Sequence, residues 1–415
     1  MSTPPRLLIL NDTSDHSNWG SQSNIEALYA ILRASLPGVT FSSLSSRWVG
    51  RVYRFDPFLR GRRAFNRTSV LADLFNQRFQ QLPVVADEFD HVADLWMKGR
   101  GGQGADDFLA ALAGCDAVVF NAEGSTYRNN LSAVKCLFML WLARTRFQRP
   151  AFFLNGSVSL TDIDAMLPAM VRKTFAVLDG ITVREPNSLR LVQRYAPEAR
   201  VELVPDSVFR FDAADAAAAE GGLADFRRLV GSQPYFCFSL SMLPVDYRRT
   251  RRQSSLYRVI TALKGVVPQA VLMAKDAEDQ FLRDLAAETQ SIFFGRDRTF
   301  RDVMAVLQQA QFLFSGRYHH LIMASDVGCP SIPLISTSPK VQGLCELLGS
   351  SIHPPFDPTD LWRHAGAIEQ EARRLVATGP AVRDEVAATA LRLREQVRRL
   401  GDIVGAGCAA ARSPA

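Results

Sequence analysis

The chain has 415 residues, of which 47% are hydrophobic and 22% charged, a balance ordinary for a folded globular protein and too long for one compact core. Two domains are therefore expected. A formal net charge of +6 favours anionic partners, but no zinc-finger spacing, helix-turn-helix signal or aromatic–basic repeat points to nucleic acid.

The first half alternates strand and helix signals. Leu7–Leu10 predicts a strand, Asn11 to Asn18 a polar loop, and Gly20 to Ser35 a helix. Residues 40 to 104 read as an irregular, Arg- and aromatic-rich insertion with one helix near Ser69 to Gln80. Strands are then predicted at Asp116–Phe120, Phe152–Leu154, Ile181–Val183 and Val201–Val204. The helices between them are Leu131 to Thr145, Asp162 to Leu178 and Ser188 to Tyr195. A boundary falls at Phe211 to Gly222. The alternation resumes with strands at Tyr235–Leu240, Ala270–Met273, Ser291–Phe294, Phe312–Phe314 and Ile332–Ile335, and a helical tail from Asp360 to Val404 breaks at Pro380. Short apolar runs separated by amphipathic helices indicate parallel sheets with crossover helices. The expected fold class is α/β, with two doubly wound Rossmann-like domains facing a cleft. They comprise a first domain at 1–210, carrying the insertion at about 40–104, and a second domain at 223–350. A helical tail follows at 351–415.

The six cysteines form no CxxC pair and mostly sit in apolar runs, so they are expected as reduced, buried thiols of a cytoplasmic protein. Met1 to Arg6 lacks a signal-peptide layout. The longest apolar helix candidate, Cys136 to Ala143, is too short to cross a bilayer, which leaves peripheral contact at the inner membrane face as the expected limit. No histidine pattern has metal-ligand spacing, and neither a Walker nor a GxGxxG motif is present.

Ligands of open α/β sheets bind beyond the carboxyl ends of the strands, and the polar residues there are the candidates. Ser315-Gly316-Arg317-Tyr318-His319-His320 follows the strand Phe312–Phe314. Arg317 suits a phosphate or carboxylate through two parallel hydrogen bonds, and His319 can move a proton near neutral pH. His320 is expected to be structural. Asn11, Asn18 and Trp19 lie in the loop after the first strand, where Asn equally serves as a cap. Glu123 with Gly124 and Ser125 follows the next predicted strand, and Glu123 is a candidate acid or base. Asn155, Arg184 and Asp206 follow the later strands. The plainer alternatives are a salt bridge to Glu185 for Arg184 and a helix cap for Asp206. Lys340 stands one βα unit after Arg317, at a helix amino terminus suited to an anion. The basic cluster Arg248–Arg252, with arginines 47, 51, 54, 60, 62, 63 and 67, reads as a solvated face or as a guide for a polyanionic or lipid-linked substrate.

Taken in order, these motifs resemble the polysaccharide pyruvyl transferase family. The likeness rests on Asn18-Trp19-Gly20, Glu123-Gly124-Ser125, Val183-Arg184-Glu185 with Ser188, and Pro205-Asp206. It continues through Ser315-Gly316-Arg317-Tyr318-His319 and the Lys340…Gly343-Leu344 element. It spans about residues 7 to 348. Ser21 stands where the family has an aspartate, and Tyr318 and His320 replace a leucine and a small residue. The resemblance implies a fold like that of type B glycosyltransferases, phosphoenolpyruvate as donor substrate, no cofactor, and a glycan or lipid-linked oligosaccharide as acceptor. The implied product is a pyruvate ketal in exopolysaccharide or cell-surface glycan biosynthesis, with phosphate released. On that resemblance Arg317, Arg184 and Lys340, with Ser315 and Gly316, hold the donor. His319 with Glu123 or Asp206 manages protons, and Asn11, Asn18, Trp19, Gly124, Ser125 and Asn155 meet the acceptor. The alternative is a glycosyltransferase using a nucleotide-activated sugar on the same scaffold; a non-catalytic glycan-binding protein is the third.

Overall fold

A computed structural model describes residues 4–49, 81–127, 130–161, 166–217, 223–240, 251–275 and 277–412. The chain divides into two compact units. One comprises residues 1–15, 28–204 and 398–415; the other comprises 16–27 and 205–397.

In the first unit the strands are β1 (Arg6–Asp12), β2 (Thr40–Ser45), β3 (Ala117–Asn121), β4 (Thr126–Tyr127), β5 (Ala151–Gly156), β6 (Val158–Ser159), β7 (Gly180–Val183) and β8 (Val201–Leu203). A six-stranded sheet runs in the order β2-β1-β3-β5-β7-β8 with every pairing parallel, and β4 pairs with β6 beside it. Strands β1, β3 and β5 are almost wholly buried, which explains their unbroken apolar runs. The helix Leu131–Arg146 is buried on nearly all sides between Leu131 and Ala143, so its apolar run is core and not membrane sequence. Among the described residues no helix is long and apolar enough to cross a membrane.

Within the segment expected to be an irregular insertion, the described residues are mostly regular. Strand β2 pairs parallel with β1, with a register shift between Leu10 and Asp12, and helices occupy Phe89–Met97 and Gln103–Ala113. Their Phe89, Trp96 and Phe108 are buried, and Phe138 of the long helix meets Phe89 and Trp96 edge to face. β2 escapes a sequence reading because it is a half-exposed edge strand, Thr-Phe-Ser-Ser-Leu-Ser, without apolar alternation. The helix expected near Ser69 to Gln80, the arginines at 51, 54, 60, 62, 63 and 67, and Arg248 to Thr250 lie outside the described residues. Arg47 is ion-paired with Asp15 at 3.3 Å on the surface.

In the second unit the strands are β9 (Tyr235–Ser239), β10 (Gln269–Met273), β11 (Ile292–Phe294), β12 (Leu313–Ser315) and β13 (Ser331–Pro333), in the parallel order β11-β10-β9-β12-β13. The order reverses direction between β9 and β12, as it does between β1 and β3 in the first unit. Such reversals open a crevice at the strands' carboxyl ends. The expected tail consists of three helices, Leu361–Thr378, Pro380–Val397 and Arg399–Arg412, with breaks at Gly379–Pro380 and Arg398. The last of them belongs to the first unit and the other two to the second. Arg394 donates to the carbonyls of Phe209 (3.2 Å) and Phe211 (2.6 Å), which pins the turn that follows Asp206. Residues His16–Ala27 also belong to the second unit, although they follow β1 in the chain.

Candidate functional site

At the β9/β12 reversal the chain leaves β12 at Ser315, passes Gly316 and enters the helix Tyr318–Asp326. Arg317 caps this helix with an extended backbone (φ −94°, ψ 114°), and its N–H donates to Ser315 Oγ at 2.9 Å. Its guanidinium is ion-paired with Asp279, whose Oδ2 accepts the Lys275 N–H after β10 at 3.0 Å. The pairing fixes the direction of the Arg317 fork while 15% of the side chain stays accessible. Asp279 carries no motif that would single it out in the sequence.

His319 lies in the first turn of the helix. Its Nε2 is 3.6 Å from Asp206 Oδ2, a carboxylate with no exposure. Asp206 accepts from Asn24 Nδ2 at 3.2 and 3.3 Å and from the Val208 N–H at 2.9 Å. It is thus a cap, as its position suggests, and also the histidine's partner. A carboxylate so placed orients an imidazole and stabilises the charge it gains on taking a proton. Gly20 makes this arrangement possible, because a Cβ there would stand 2.2 Å from His319 Nδ1. Asn18 Oδ1 accepts the Gly20 N–H at 2.9 Å and so caps the helix Trp19–Ser35.

Trp19 is 1% exposed, stacks on His320 (5.6 Å, 25°) and meets Phe294 edge to face. It is packing, not the acceptor-facing ring expected, because its ring is covered by the second unit's own core. Lys340, half-buried, opens the helix Lys340–Leu348 after β13, with Gly343 and Leu344 buried behind it.

The first unit carries a second polar edge. Asn11 Nδ2 donates to Asn121 O at 2.8 Å, and Asn155 Nδ2 to Asn121 Oδ1 at 3.4 Å, which links the ends of β1, β3 and β5. Asn11 (φ 63°), Asn155 (φ 61°) and Glu123 (φ 41°) all adopt left-handed backbone. Asn tolerates this region; Glu does so at a cost of about 1–3 kcal/mol, a strain that concentrates at functional sites. The Thr13 hydroxyl donates to Glu123 Oε1 at 2.9 Å, and the Ser157 N–H to Glu123 O at 2.6 Å. Gly124 and Ser125 form the half-exposed turn beside it, with Ser125 Oγ donating to Ala122 O. Thr13 and Asn24 were not singled out in the sequence, where each is one polar residue among several.

Arg184 departs from its expected role. It is 1% exposed, and its Nε donates to Ser157 Oγ (2.8 Å) and Glu185 Oε1 (3.1 Å). Ser188 Oγ donates to the other Glu185 oxygen at 2.8 Å. The salt bridge foreseen as the plain alternative exists, but inside the unit. Its arginine balances a buried carboxylate.

The six cysteines are buried and unbridged. Burial pushes the Cys115 thiol up to about 11 and those of Cys329 and Cys345 up to about 12, away from nucleophilic thiolates. Among the described residues no group of three or more His, Cys, Asp or Glu is arranged to hold a metal.

A family model described as polysaccharide pyruvyl transferase matches residues 18–338. Among curated proteins, none matches this sequence. Solved structures resemble it in fold. A UDP-forming α,α-trehalose-phosphate synthase from Burkholderia xenovorans aligns with a TM-score of 0.56 at 14% identity, over 99% of this chain and 100% of the other. Arabidopsis thaliana UGT89C1, complexed with quercetin, gives 0.54 at 8% identity over 98% and 100%. UDP-GlcNAc 2-epimerase from Neisseria meningitidis, bound to UDP-GlcNAc, gives 0.51 at 10% identity over 95% and 100%. At these identities the likeness establishes the type B glycosyltransferase-like fold and nothing of the chemistry.

Proposed function

Because the chain belongs to the polysaccharide pyruvyl transferase family, we propose that it forms a pyruvate ketal on a glycan sugar from phosphoenolpyruvate, and releases phosphate. The methylene carbon of the donor takes a proton, C2 becomes electrophilic, and one sugar hydroxyl adds while losing its proton. Phosphate then leaves with the C–O bond electrons, and a second hydroxyl adds to C2. Atoms balance without a cofactor: one donor and two hydroxyls give the ketal and inorganic phosphate.

The observation that carries this reading is the His319–Asp206 pair, its histidine two residues beyond Arg317, with Gly20 closing the ring side of the histidine. On this reading Arg317 holds an anionic group of the donor, aided by Lys340 and by the Ser315–Gly316 turn. His319 transfers the proton, and Asp206 orients it. In the first unit Glu123, braced by Thr13, with Asn11, Asn155 and the Gly124–Ser125 turn, offers hydroxyl-binding chemistry for the acceptor. Asn18 acts through the cap it gives Gly20. A glycan or lipid-linked oligosaccharide acceptor, exopolysaccharide synthesis and a cytoplasmic site of action, peripheral to the inner membrane face, belong to the same proposal.

The test is donor binding followed by turnover. Phosphoenolpyruvate should raise the melting temperature, and glycan acceptor should then release phosphate. Arg317→Ala should weaken donor binding at least tenfold through loss of a charge-assisted contact. His319→Gln should retain donor binding and lose turnover. Stabilisation by UDP-sugars and not by phosphoenolpyruvate would replace this reading with the nucleotide-sugar glycosyltransferase.

A further inference from the structure

The Arg317 turn is held by a run of buried side chains on both sides of the β9/β12 reversal. Arg317 N–H donates to Ser315 Oγ (2.9 Å), Ser315 Oγ lies 2.7 Å from Ser239 Oγ, and Ser239 Oγ lies 2.8 Å from His320 Nδ1. Ser239 and Ser315 have no exposure and His320 has 1%. Ser239 ends β9, Ser315 ends β12, and His320 follows His319 on the helix.

Counting protons gives the run a direction. Ser315 Oγ accepts from the backbone, so its own proton is free to go to Ser239 Oγ. Ser239 then gives its proton to His320 Nδ1. Nε2 lacks a partner in either direction, but the opposite one also strands the Ser315 proton in the core, and buried polar groups are rarely left so. His320 Nδ1 is therefore the acceptor, and Nε2 carries the ring's hydrogen. Nε2 has no hydrogen-bond partner among the described residues, so a second ring proton would place an uncompensated charge in the core. Trp19 covers the ring face.

We propose that His320 is a positioning residue: a neutral imidazole that, through Ser239 and Ser315, fixes the backbone of Arg317 and so the direction in which the guanidinium meets its anion. The assignment to donor binding rests on the reading of Arg317 given above; the hydrogen-bonded run does not. Burial first, then the nearby charges of Arg317 and Lys275, hold His320 well below the usual imidazole range, in keeping with a ring that stays neutral. The ring both fills the space beside Trp19 and supplies the acceptor that ends the run.

Two measurements on the full-length protein decide it. With ¹⁵N-labelled histidine, NMR should show His320 as the neutral Nε2–H tautomer from pH 5 to pH 8, and Ser239→Ala should move its Nδ1 resonance. A doubly protonated ring at pH 5, the Nδ1–H tautomer, or indifference to Ser239→Ala would overturn the run. In calorimetry with phosphoenolpyruvate, His320→Leu should raise Kd about tenfold, the loss of one ordered contact. His320→Asn, whose amide oxygen stands in for Nδ1, should stay within about threefold of wild type. Equal losses in the two variants would reduce His320 to bulk and overturn the positioning role. If His320→Leu does not fold, Ser239→Ala, which removes one atom, carries the same Kd expectation. If the wild-type protein does not bind phosphoenolpyruvate, the transferase reading fails, while the NMR measurement still decides the run.

Discussion

Replacing Gly20 by alanine should separate activity from stability. Gly20 lies in the first turn of the helix Trp19–Ser35 without positive φ, so alanine fits its backbone and favours the helix by about 0.5–1 kcal/mol. The added methyl group, however, would sit 2.2 Å from His319 Nδ1, 2.7 Å from Cγ and 2.8 Å from Cβ. Ordinary contact begins near 3.4 Å, so the whole side chain must retreat by roughly 1 Å. Overpacking of this kind costs about 1–3 kcal/mol, which the helix gain partly offsets. The melting temperature should therefore fall by only a few degrees, about 2–4 °C per kcal/mol for units of this size. The histidine's position relative to Asp206 suffers far more, since a displacement of about 1 Å at a reacting group costs on the order of 100-fold in rate. The assay is phosphate release from phosphoenolpyruvate in the presence of glycan acceptor, beside a thermal melt. A variant with turnover within about threefold of wild type would show that His319 does not need its place against Gly20, and would remove it from the proton-transfer role.

Two further outcomes concern buried charge. Asp326 is buried on the helix that carries His319, its oxygens lack hydrogen-bond partners among the described residues, and burial raises its carboxyl well above the usual range against the opposing pull of Arg394. Its folded-state value is raised, so stability is fully present below about pH 3.9 and falls as pH rises toward the folded value, by about 1.4 kcal/mol per pH unit at most. Denaturant titrations at pH 5 and pH 8 should show this slope in the wild type and a flatter one in Asp326→Asn; an identical slope would refute it. Arg184→Met should leave the Glu185 carboxylate buried without its cation and cost about 3–5 kcal/mol, while Arg184→Met with Glu185→Leu should recover much of that loss. Weakened donor affinity in a fully folded Arg184→Met protein would instead return Arg184 to the donor site.

The strand and helix alternation was legible because it depends on local pattern: the buried strands β3, β5 and β9 are short apolar runs, and the polar residues at their ends stand out. Arg317 and His319 were legible for the same reason. What sequence could not show is pairing between distant positions. Asp279 holds Arg317 from 38 residues away, and Asn24 holds Asp206 from 182 away, each an unremarkable polar residue in its own segment. Trp19 and Arg184 misled in the opposite sense. An aromatic and a cation at loop positions read as ligand-facing, yet their burial is decided by what packs over them. Strand β2 was missed because a half-exposed edge strand carries no continuous apolar signal.

The division of the chain has a practical consequence for anyone who would cut it. The unit that holds Arg317 and His319 is not contiguous, because residues 16–27 belong to it as well as 205–397. A fragment expressed from residue 205 onward would lack Trp19, which covers His320 and Phe294, and Asn24, which binds Asp206. It would present an apolar face and an unsupported carboxylate to water and should aggregate or fail to bind donor. A chimera that exchanges this half between relatives must therefore carry two segments, and a break placed at the obvious linker alone would sever the histidine from the glycine that makes room for it.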